Sequence, residues 1–232
     1  IFQSASNHRY HTHDYYQVDP ILGGNKAFEA LLTQAHQRGI KVVLDGVFNH
    51  ASRGFFFFND ILENGSNSPW LDWFKISDWP LSAYDGKLPA NYEGWVDNRA
   101  LPVFNHDNPD VKAYIMDIAE YWIKMGIDGW RLDVPFEITT EGFWQEFRDR
   151  VKAINPDAYI VGEVWRDARQ WLDGTQFDGV MNYLFTAPTI AFTAGDRVVL
   201  DYVKSRSYEP YPALSAPEYA AKIQALLDLY PW

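Results

Sequence analysis

The chain contains no cysteine, which excludes a disulfide framework and thiolate chemistry. It also lacks an apolar run long enough to span a membrane and a glycine-rich loop of the kind that cradles phosphates. Cationic side chains are scarce, because 20 Lys and Arg are outnumbered by 31 Asp and Glu, and the net charge is −11. An acidic surface repels nucleic acids and anionic membranes, so we expect neither as a partner.

Aromatic side chains, in contrast, are abundant, with 10 Trp, 14 Tyr and 15 Phe among 232 residues. A hydrophobic content of 47% and a charged content of 22% predict a folded chain of one or two domains rather than a disordered one. Aromatic rings serve either as core or as flat platforms on which sugar rings pack. Composition alone does not separate these two uses.

One apolar segment ends in a carboxylate. Residues 129–134 read Gly-Trp-Arg-Leu-Asp-Val, a β-favouring run with the character of a buried strand. Arg131 and Asp133 are two positions apart and therefore point to the same face of that strand. A neighbouring guanidinium lowers the pKa of a carboxyl group, so we expect Asp133 to be ionised at neutral pH, as a nucleophile must be.

A second segment repeats this design thirty residues later. Residues 159–165 read Tyr-Ile-Val-Gly-Glu-Val-Trp, so that Glu163 ends an apolar strand and is flanked by Trp165. A carboxylic acid among apolar and aromatic groups keeps its proton more readily, which suits a proton donor. Two such carboxyl groups at the ends of neighbouring strands are what glycoside hydrolysis requires. Either residue alone is explained equally well as a helix cap or an ion-pair partner, but both together with Arg131 favour a function.

Strands and helices alternate along the chain. Alternation of this kind indicates a parallel sheet with right-handed crossovers, and residues 51–106 interrupt it as an inserted subdomain. Residues 1–24 show no regular pattern and are predicted to be a loop. The predicted strands are 40–48, 129–134, 159–165 and 178–183. The predicted helices are 26–38, 140–153, a short one at 168–172, and 217–229. A further helix is predicted to be capped by Asp107 or Asn108 and to end at Gly126. In the helix 217–229, Ile223, Leu226 and Leu227 are expected to face inward.

Polar residues fall at the carboxyl ends of the predicted strands, namely His50, Asp133, Glu163 and Asn182. This is where a (β/α)8 barrel, or TIM barrel, places its active site, and an open doubly wound sheet uses the same end. The absence of a phosphate-binding loop favours the barrel. Because only four strands are evident, the predicted fold is an incomplete TIM barrel of the α/β class.

Three histidines, His8, His11 and His13, lie close together near the start of the chain. Their spacing is compatible with a metal site, but no regular helix or strand is predicted there to hold them. We therefore expect no metal at these residues.

Five ordered motifs carry a resemblance to a known family. Residues 45–50 read Asp-Gly-Val-Phe-Asn-His, and the segments 101–105, 129–133, 162–165 and 177–183 follow at fitting separations. Together they resemble the α-amylase family of glycoside hydrolases, within it the neopullulanase, cyclomaltodextrinase and maltogenic amylase group. The resemblance runs over essentially the whole chain.

The resemblance implies retaining hydrolysis of α-glucosidic bonds, with Asp133 as nucleophile and Glu163 as general acid and base. No cofactor is implied; Asn49 matches a position that binds calcium in many α-amylases, although this group often lacks that ion. Asp45 matches a structural acid of the first motif. The substrate-binding residues implied are Tyr10, His50, Arg131, Trp165 and Glu137.

The resemblance also implies a domain division. Residues 1–50 would run from the end of barrel strand 2 to strand 3, residues 51–106 would form the inserted domain B, and residues 107–232 would run from strand 4 to the helix after strand 6. The expected substrates are starch-derived glucans, maltooligosaccharides, pullulan or cyclodextrins. A cytoplasmic location and a homodimer of the full-length protein are further expectations.

Several positions depart from the pattern of this group. The segments 101–105 and 134–137 and the pair Trp165-Arg166 differ from its usual residues near the acceptor side, which leaves substrate preference and the choice between hydrolysis and transglycosylation open. The family's third carboxylate belongs to a His-Asp pair, yet every histidine of the chain lies at or before His106. We therefore expect an internal piece of a longer enzyme, inactive by itself. A non-catalytic glucan-binding protein is the alternative, against which Arg131, Asp133 and Glu163 together argue.

Overall fold

Four parallel strands form the central sheet of the computed structural model, which describes residues 1–199 and 212–230. They pair in chain order, β3 with β4, β4 with β5 and β5 with β6. An α-helix follows β4 and another follows β6, whereas a single 3-10 turn at Arg169–Trp171 follows β5, where a short helix was predicted. This is the arrangement of an incomplete (β/α)8 barrel, and the predicted fold class is confirmed. The strands are β1 (Phe2–Ser4), β2 (Thr12–Val18), β3 (Val43–Gly46), β4 (Gly129–Leu132), β5 (Tyr159–Gly162) and β6 (Gly179–Val180).

The helices begin and end close to where the sequence signals place them. Asn108 caps the longest helix, since its side chain accepts a hydrogen bond from the Asp110 amide at 2.8 Å. Gly126 ends that helix at a positive φ of 114°. The helices are α1 (Gly24–His36), α2 (Phe56–Asn64), α3 (Pro109–Met125), α4 (Phe143–Ile154), α5 (Tyr183–Thr193) and α6 (Ala216–Leu229).

The first 24 residues are not a loop, so that prediction is wrong. β1 and β2 form an antiparallel pair whose polar residues obscure the alternating pattern of a strand. Tyr15 of β2 is fully buried, and its hydroxyl donates to the His50 carbonyl at 2.8 Å. The Trp122 indole of α3 donates to the Tyr15 carbonyl at 2.7 Å, so tertiary contacts hold this pair of strands against the barrel.

The segment 51–106 starts and finishes beside the end of β3. The Ala51 amide donates to the Pro102 carbonyl at 3.0 Å, and the Phe104 amide donates to the Asn49 carbonyl at 3.1 Å. Between these points lies α2, which the sequence pattern did not predict, and an aromatic cluster. That cluster includes Phe55, Phe58, Trp73, Phe74 and Phe104.

Two expectations near the end of the chain need correction. The strand predicted at 178–183 ends at Val180, because Asn182 instead caps α5 by accepting a hydrogen bond from the Phe185 amide at 3.1 Å. The predicted inward stripe of α6 is not buried, and Leu227 is 39% exposed. The helix packs against α5, where the rings of Phe192 and Tyr219 stack at 4.6 Å.

No helix within the described parts of the chain is long and apolar enough to cross a membrane.

Candidate active site

Strand register brings the two candidate catalytic carboxyl groups to one edge of the sheet. Leu132 of β4 pairs with Gly162 of β5, so the residues that follow, Asp133 and Glu163, emerge side by side. The backbone fixes both: the Asp133 amide donates to the Gly46 carbonyl at 3.0 Å, and the Glu163 amide donates to the Leu132 carbonyl at 2.9 Å. Asp133 is 8% exposed and Glu163 is 9% exposed. The sequence placed these residues correctly at the carboxyl ends of neighbouring strands.

One guanidinium links three carboxylates at this edge. Arg131 Nη1 lies 2.8 Å from Asp45 Oδ1 and 2.8 Å from Asp133 Oδ1, and its Nη2 lies 2.9 Å from Glu163 Oε1. Burial opposes the charge on Arg131, but the neighbouring Asp45 and Asp133 outweigh it and raise the pKa of Arg131 above its ordinary value. Arg131 therefore stays charged and holds the two candidate catalytic groups in fixed positions relative to each other.

The electrostatic expectation for Asp133 is wrong. Burial raises the pKa of Asp133 to about 7, although the hydrogen bond and charge of Arg131 lower it. The nearby carboxylates of Glu163 and Asp45 raise it further. A single guanidinium shared by three acids does not offset this burial, so the pKa of Asp133 lies above its ordinary value.

Glu163 also has different surroundings from those expected. In place of an apolar pocket, its carboxylate accepts hydrogen bonds from the Tyr183 hydroxyl at 2.9 Å and from the Val134 amide at 3.3 Å, besides the ion pair with Arg131. Trp165 is 49% exposed and its ring packs against Phe136, with ring centroids 5.2 Å apart. Tyr183 ends the motif 177–183 but was not predicted as a site residue, because it reaches Glu163 only through the turn after β6.

Val134, the residue after Asp133, has a strained backbone. Its φ of 35° and ψ of 51° place a β-branched residue in the left-handed region, which such side chains rarely adopt. This conformation accompanies the hydrogen bond from the Val134 amide to Glu163. Strain next to two buried carboxyl groups is typical of a functional site.

Tyr10 and His50 close one side of the site, as the resemblance implied. The Tyr10 hydroxyl donates to Asp45 Oδ2 at 2.7 Å, and burial together with that carboxylate raises the pKa of Tyr10. His50 is 1% exposed, and burial lowers its pKa to about 4, so its ring is neutral at physiological pH. Its ring stacks on Trp95 with centroids 5.2 Å apart and an interplanar angle of 18°.

A cavity of about 450 Å³ opens beside these groups. Of the predicted site residues it brings together Tyr10, His50, Arg131, Asp133, Glu163 and Trp165. Of the remaining lining residues, Leu101 and Val134 belong to segments that the resemblance placed near the acceptor side, and His8 and His11 were considered only as metal ligands. Trp95 and Asn98 were not predicted, because their loop meets the strand ends only in the fold.

Three predicted residues lie outside the lining of that cavity. Asp45 contacts the site through Tyr10 and Arg131. Asn49 is 2% exposed, with its side-chain nitrogen 3.4 Å from His50 Nδ1. Glu137 is exposed in a short turn after β4, so its proposed contact with substrate stays a prediction.

The candidate metal residues do not converge. Calcium takes six to eight oxygen ligands, yet within residues 1–199 and 212–230 no group of three or more His, Asp or Glu is placed to hold a metal ion. The rings of His8 and His11 pack edge to face at 4.9 Å.

Two buried carboxyl groups at the carboxyl ends of adjacent parallel strands are the arrangement that a barrel-type glycoside hydrolase requires. The sequence model of the family described as "Alpha amylase, catalytic domain" matches residues 1–216. The chain belongs to the α-amylase family.

Individual relatives agree with this assignment. Neopullulanase 2 of Thermoactinomyces vulgaris is 50% identical over 195 residues, which cover 84% of this chain and 33% of that protein. A debranching enzyme of Nostoc punctiforme, solved after soaking with acarbose, is 78% identical with a TM-score of 0.95 and covers 100% of this chain. The cyclic α-maltosyl-(1→6)-maltose hydrolase of Arthrobacter globiformis is 37% identical with a TM-score of 0.88. The chain spans about a third of that curated relative and about half of these two solved chains.

Proposed function

We propose that the full-length protein hydrolyses α-glucosidic bonds with retention of anomeric configuration. The observation that carries this proposal is the Arg131 bridge, which holds Asp133 and Glu163 side by side at the wall of a cavity. Retaining enzymes place their two carboxyl groups about 5–5.5 Å apart so that one attacks while the other donates a proton. We expect that separation here, rather than the wider gap of an inverting enzyme.

In the first step the protonated form of Glu163 gives its proton to the glycosidic oxygen, while the ionised form of Asp133, which the charge of Arg131 favours, attacks the anomeric carbon. The bond to the leaving sugar breaks as the bond to Asp133 forms. In the second step water attacks that carbon, Glu163 accepts the proton of the water, and Asp133 is released. Arg131 stays within reach of both carboxyl groups throughout, so it stabilises the charge that passes between them.

The proposed substrates are α-glucans such as maltooligosaccharides, pullulan and cyclodextrins. Support comes from relatives that are named neopullulanase and cyclomaltodextrinase, the latter from Bacillus sp at 48% identity, and from a solved debranching enzyme. Transglycosylation is a second candidate, since a sugar hydroxyl competes with water for the same intermediate. The acceptor side of the site bears on that choice, since it is where the competing sugar hydroxyl would bind. There Phe136 packs on Trp165, and the Arg166 guanidinium lies 5.0 Å above the Phe136 ring.

We also propose that residues 51–106 act as an inserted domain B. The support is that Trp95, Asn98 and Leu101 from this segment line the cavity opposite the strand-borne acids. A cytoplasmic location is proposed from one relative, the intracellular maltogenic amylase of Bacillus subtilis, at 41% identity. A homodimer of the full-length protein stays a prediction.

The test uses Asp133→Asn and Glu163→Gln in the full-length protein, with Asp167→Asn as the control. Asp167 is an acid outside the cavity whose partner is the largely exposed Arg169. We expect each site variant to lose about 10⁴-fold in turnover on maltooligosaccharides with unchanged thermal unfolding, because each removes one chemical step. The control should keep normal turnover.

Proton NMR of the first products distinguishes retention from inversion. An α-anomer as the initial product of the wild-type protein supports the nucleophile role of Asp133. Near-normal turnover in either site variant, or a β-anomer as the first product, would overturn the proposal.

A further inference from the structure

A second cavity lies next to the active-site cavity. Its volume is about 280 Å³, which is at the small end of ligand sites and suits a small ion or a single charged group. His11 lines both cavities, so the two meet at this side chain. The polar and aromatic lining of this second space, the His13 cavity, consists of Ser6, His11, His13, Ser52, Arg53 and Tyr84.

The His13 cavity is basic although the protein is acidic. The whole chain has 31 Asp and Glu against 20 Lys and Arg, yet no Asp or Glu of the described residues lines this cavity. Asp19 raises the pKa of His13 by its charge. Its carboxylate, however, is already 3.1 Å from Arg9 Nε and accepts hydrogen bonds from two backbone amides. The positive charge in the cavity is therefore not matched by an acid of the lining.

Arg53 brings that positive charge into the cavity. Its amide donates to the Ala100 carbonyl at 3.3 Å, and its guanidinium donates to the Ala83 carbonyl and lies 4.4 Å from the centre of the Tyr84 ring. These contacts hold the guanidinium in place, but neither a carbonyl group nor a ring carries a net negative charge. A guanidinium has five N–H donors in a planar fork, so most of them remain for an anion.

Neutral hydrogen-bond donors surround Arg53. Ser52 is 3% exposed, and its hydroxyl accepts from the Gly54 amide at 3.1 Å, so its own O–H remains to be donated. The His13 ring packs so closely on Gly54 that a side chain there would collide with it. Burial lowers the pKa of His13 and of His11, so each ring is uncharged at neutral pH and has one N–H to donate. Within residues 1–199 and 212–230, neither ring is hydrogen-bonded to a protein group.

We propose that the His13 cavity is a binding site for a phosphate group, with Arg53 as the charged partner and Ser52 and His13 as neutral donors. A phosphate monoester carries a charge of about −1.5 to −2 at pH 7 and has three strong acceptor oxygens. The guanidinium fork matches two of those oxygens, and the hydroxyl and imidazole donors reach the group from other parts of the fold.

Inorganic phosphate and a phosphate ester on a glucan chain share this chemistry. Because His11 lines both cavities, a sugar whose ester group occupies the His13 cavity would lie against the active-site cavity. The site itself does not depend on the proposed function, since Arg53, Ser52 and His13 do not line the active-site cavity. Only the ester as its source rests on that function.

The first arm of the test is calorimetric titration of the full-length protein with inorganic phosphate at constant ionic strength. We expect Arg53→Gln to weaken binding by about tenfold or more, because it removes a charge-assisted hydrogen bond, and Arg53→Lys to recover only part of the affinity. The control is Arg38→Gln, an exposed residue of α1 that donates to the Gln34 carbonyl at 2.8 Å and does not line the cavity. The control should bind phosphate as the wild type does.

Three outcomes of this arm would overturn the proposal. They are no saturable binding below about 10 mM phosphate, binding that Arg53→Gln leaves unchanged, and an equal affinity for chloride, since a spherical ion makes no use of the fork. If Arg53→Gln does not fold, His13→Gln and Ser52→Ala replace it. Each removes one neutral donor and should weaken binding by about fivefold.

NMR of ring-labelled histidine locates the bound ion in the same protein. We expect inorganic phosphate to shift the ring signals of His11 and His13, with His13→Gln used to assign the latter. His36 is the internal control, because its ring lies on α1 and pairs with Asp128 at 2.8 Å. Signals of His11 and His13 that do not move at saturating phosphate would refute the assignment of the site.

The second arm distinguishes the two sources of phosphate. It compares kcat/KM on a maltooligosaccharide that bears a phosphate monoester with kcat/KM on the same sugar without it. A preference for the ester that is lost in Arg53→Gln supports the glucan-borne group, whereas phosphate binding without such a preference supports the free ion. Turnover of the unmodified sugar should be equal in wild type and Arg53→Gln. The first arm needs no turnover, so it decides whether the site exists even if Asp133→Asn shows that the proposed function is wrong.

Discussion

The two walls of the cavity are built differently. The acids and Arg131 lie on or directly after β4 and β5, where backbone hydrogen bonds of the sheet fix them on both sides. Trp95 and Trp165 come from loops, where the Trp95 amide donates to the Leu101 carbonyl at 3.0 Å. The groups proposed for the chemistry therefore sit on the sheet, while the aromatic groups that line the rest of the cavity sit on loops, which tolerate change more readily. Substitutions on the two sides should therefore differ in size and kind.

After the two acids themselves, the largest effect is expected for Arg131→Ala, which leaves three carboxylates without their shared partner. We expect a loss of about 10³-fold in kcat/KM, comparable to the removal of a charge-stabilising donor in other hydrolases. Arg131→Lys restores the charge but not the fork that reaches both Asp133 and Glu163, so it should recover only part of the activity. Steady-state kinetics check this, with Arg169→Ala as control, since Arg169 is 60% exposed and its ion pair lies at the surface. Full activity in Arg131→Ala would contradict the proposed role of Arg131 in holding Asp133 and Glu163.

The next effect is on stability and comes from Gly129→Ala. A side chain at Gly129 would collide with the Tyr159 carbonyl, so β4 and β5 must separate. We expect a destabilisation of about 3 kcal/mol, measured by urea unfolding. In the matched control, Gly86→Ala, the new side chain meets open space and the change should stay within about 0.5 kcal/mol. Equal free energies of unfolding for the two variants would show that the close pairing of β4 with β5 at Gly129 is not a rigid part of the structure.

The free energy of unfolding should depend on pH through His106. This residue lies at the end of the segment 51–106, and its Nε2 donates to the Phe48 carbonyl, just after β3, at 2.9 Å. Burial lowers its pKa from 6.5 to about 4, so between these values the unfolded chain binds a proton that the folded chain does not. Stability should therefore fall by about 3 kcal/mol as the pH falls from about 6.5 to about 4. Asp133 acts in the opposite direction, because its raised pKa favours the folded state at the lower pH.

His106→Gln separates the two contributions. We expect the difference in unfolding free energy between wild type and this variant to shrink as the pH falls through that window. A difference that is constant with pH, measured by urea unfolding at each pH, would mean that His106 is not buried in its neutral form.

The smallest effect is expected for Trp165→Ala on the loop side. Its ring is 49% exposed and its aromatic partner is Phe136. A sugar ring packed on the exposed face of Trp165 would lose a contact of about 0.5–1.5 kcal/mol in this variant, so KM should rise by roughly twofold to tenfold with kcat little changed. Kinetics on maltooligosaccharides of different length provide the measurement. A loss in kcat as large as that of Arg131→Ala would remove the distinction between the two walls.

Much of the fold could be read from local signals. The cap at Asn108 and the glycine at 126 bound α3 because they act within one turn of the chain. The β1–β2 pair and α2 were missed, since their stability comes from distant partners such as Trp122 and Phe104 rather than from their own pattern. The helix α5 was missed because the strand before it ends at Val180, three residues earlier than predicted.

By itself the sequence determined the identity of the paired acids, their place at the ends of parallel strands and the partnership of Arg131 with Asp133. These follow from side-chain alternation along a strand, which is a property of the local backbone. Only the tertiary structure decided how the site is charged. Burial and the neighbouring acids raise the pKa of Asp133 more than the single guanidinium lowers it. The Trp95 ring stacks on His50, more than forty residues away along the chain. Burial and long-range contacts depend on the whole fold, and no short stretch of sequence encodes them.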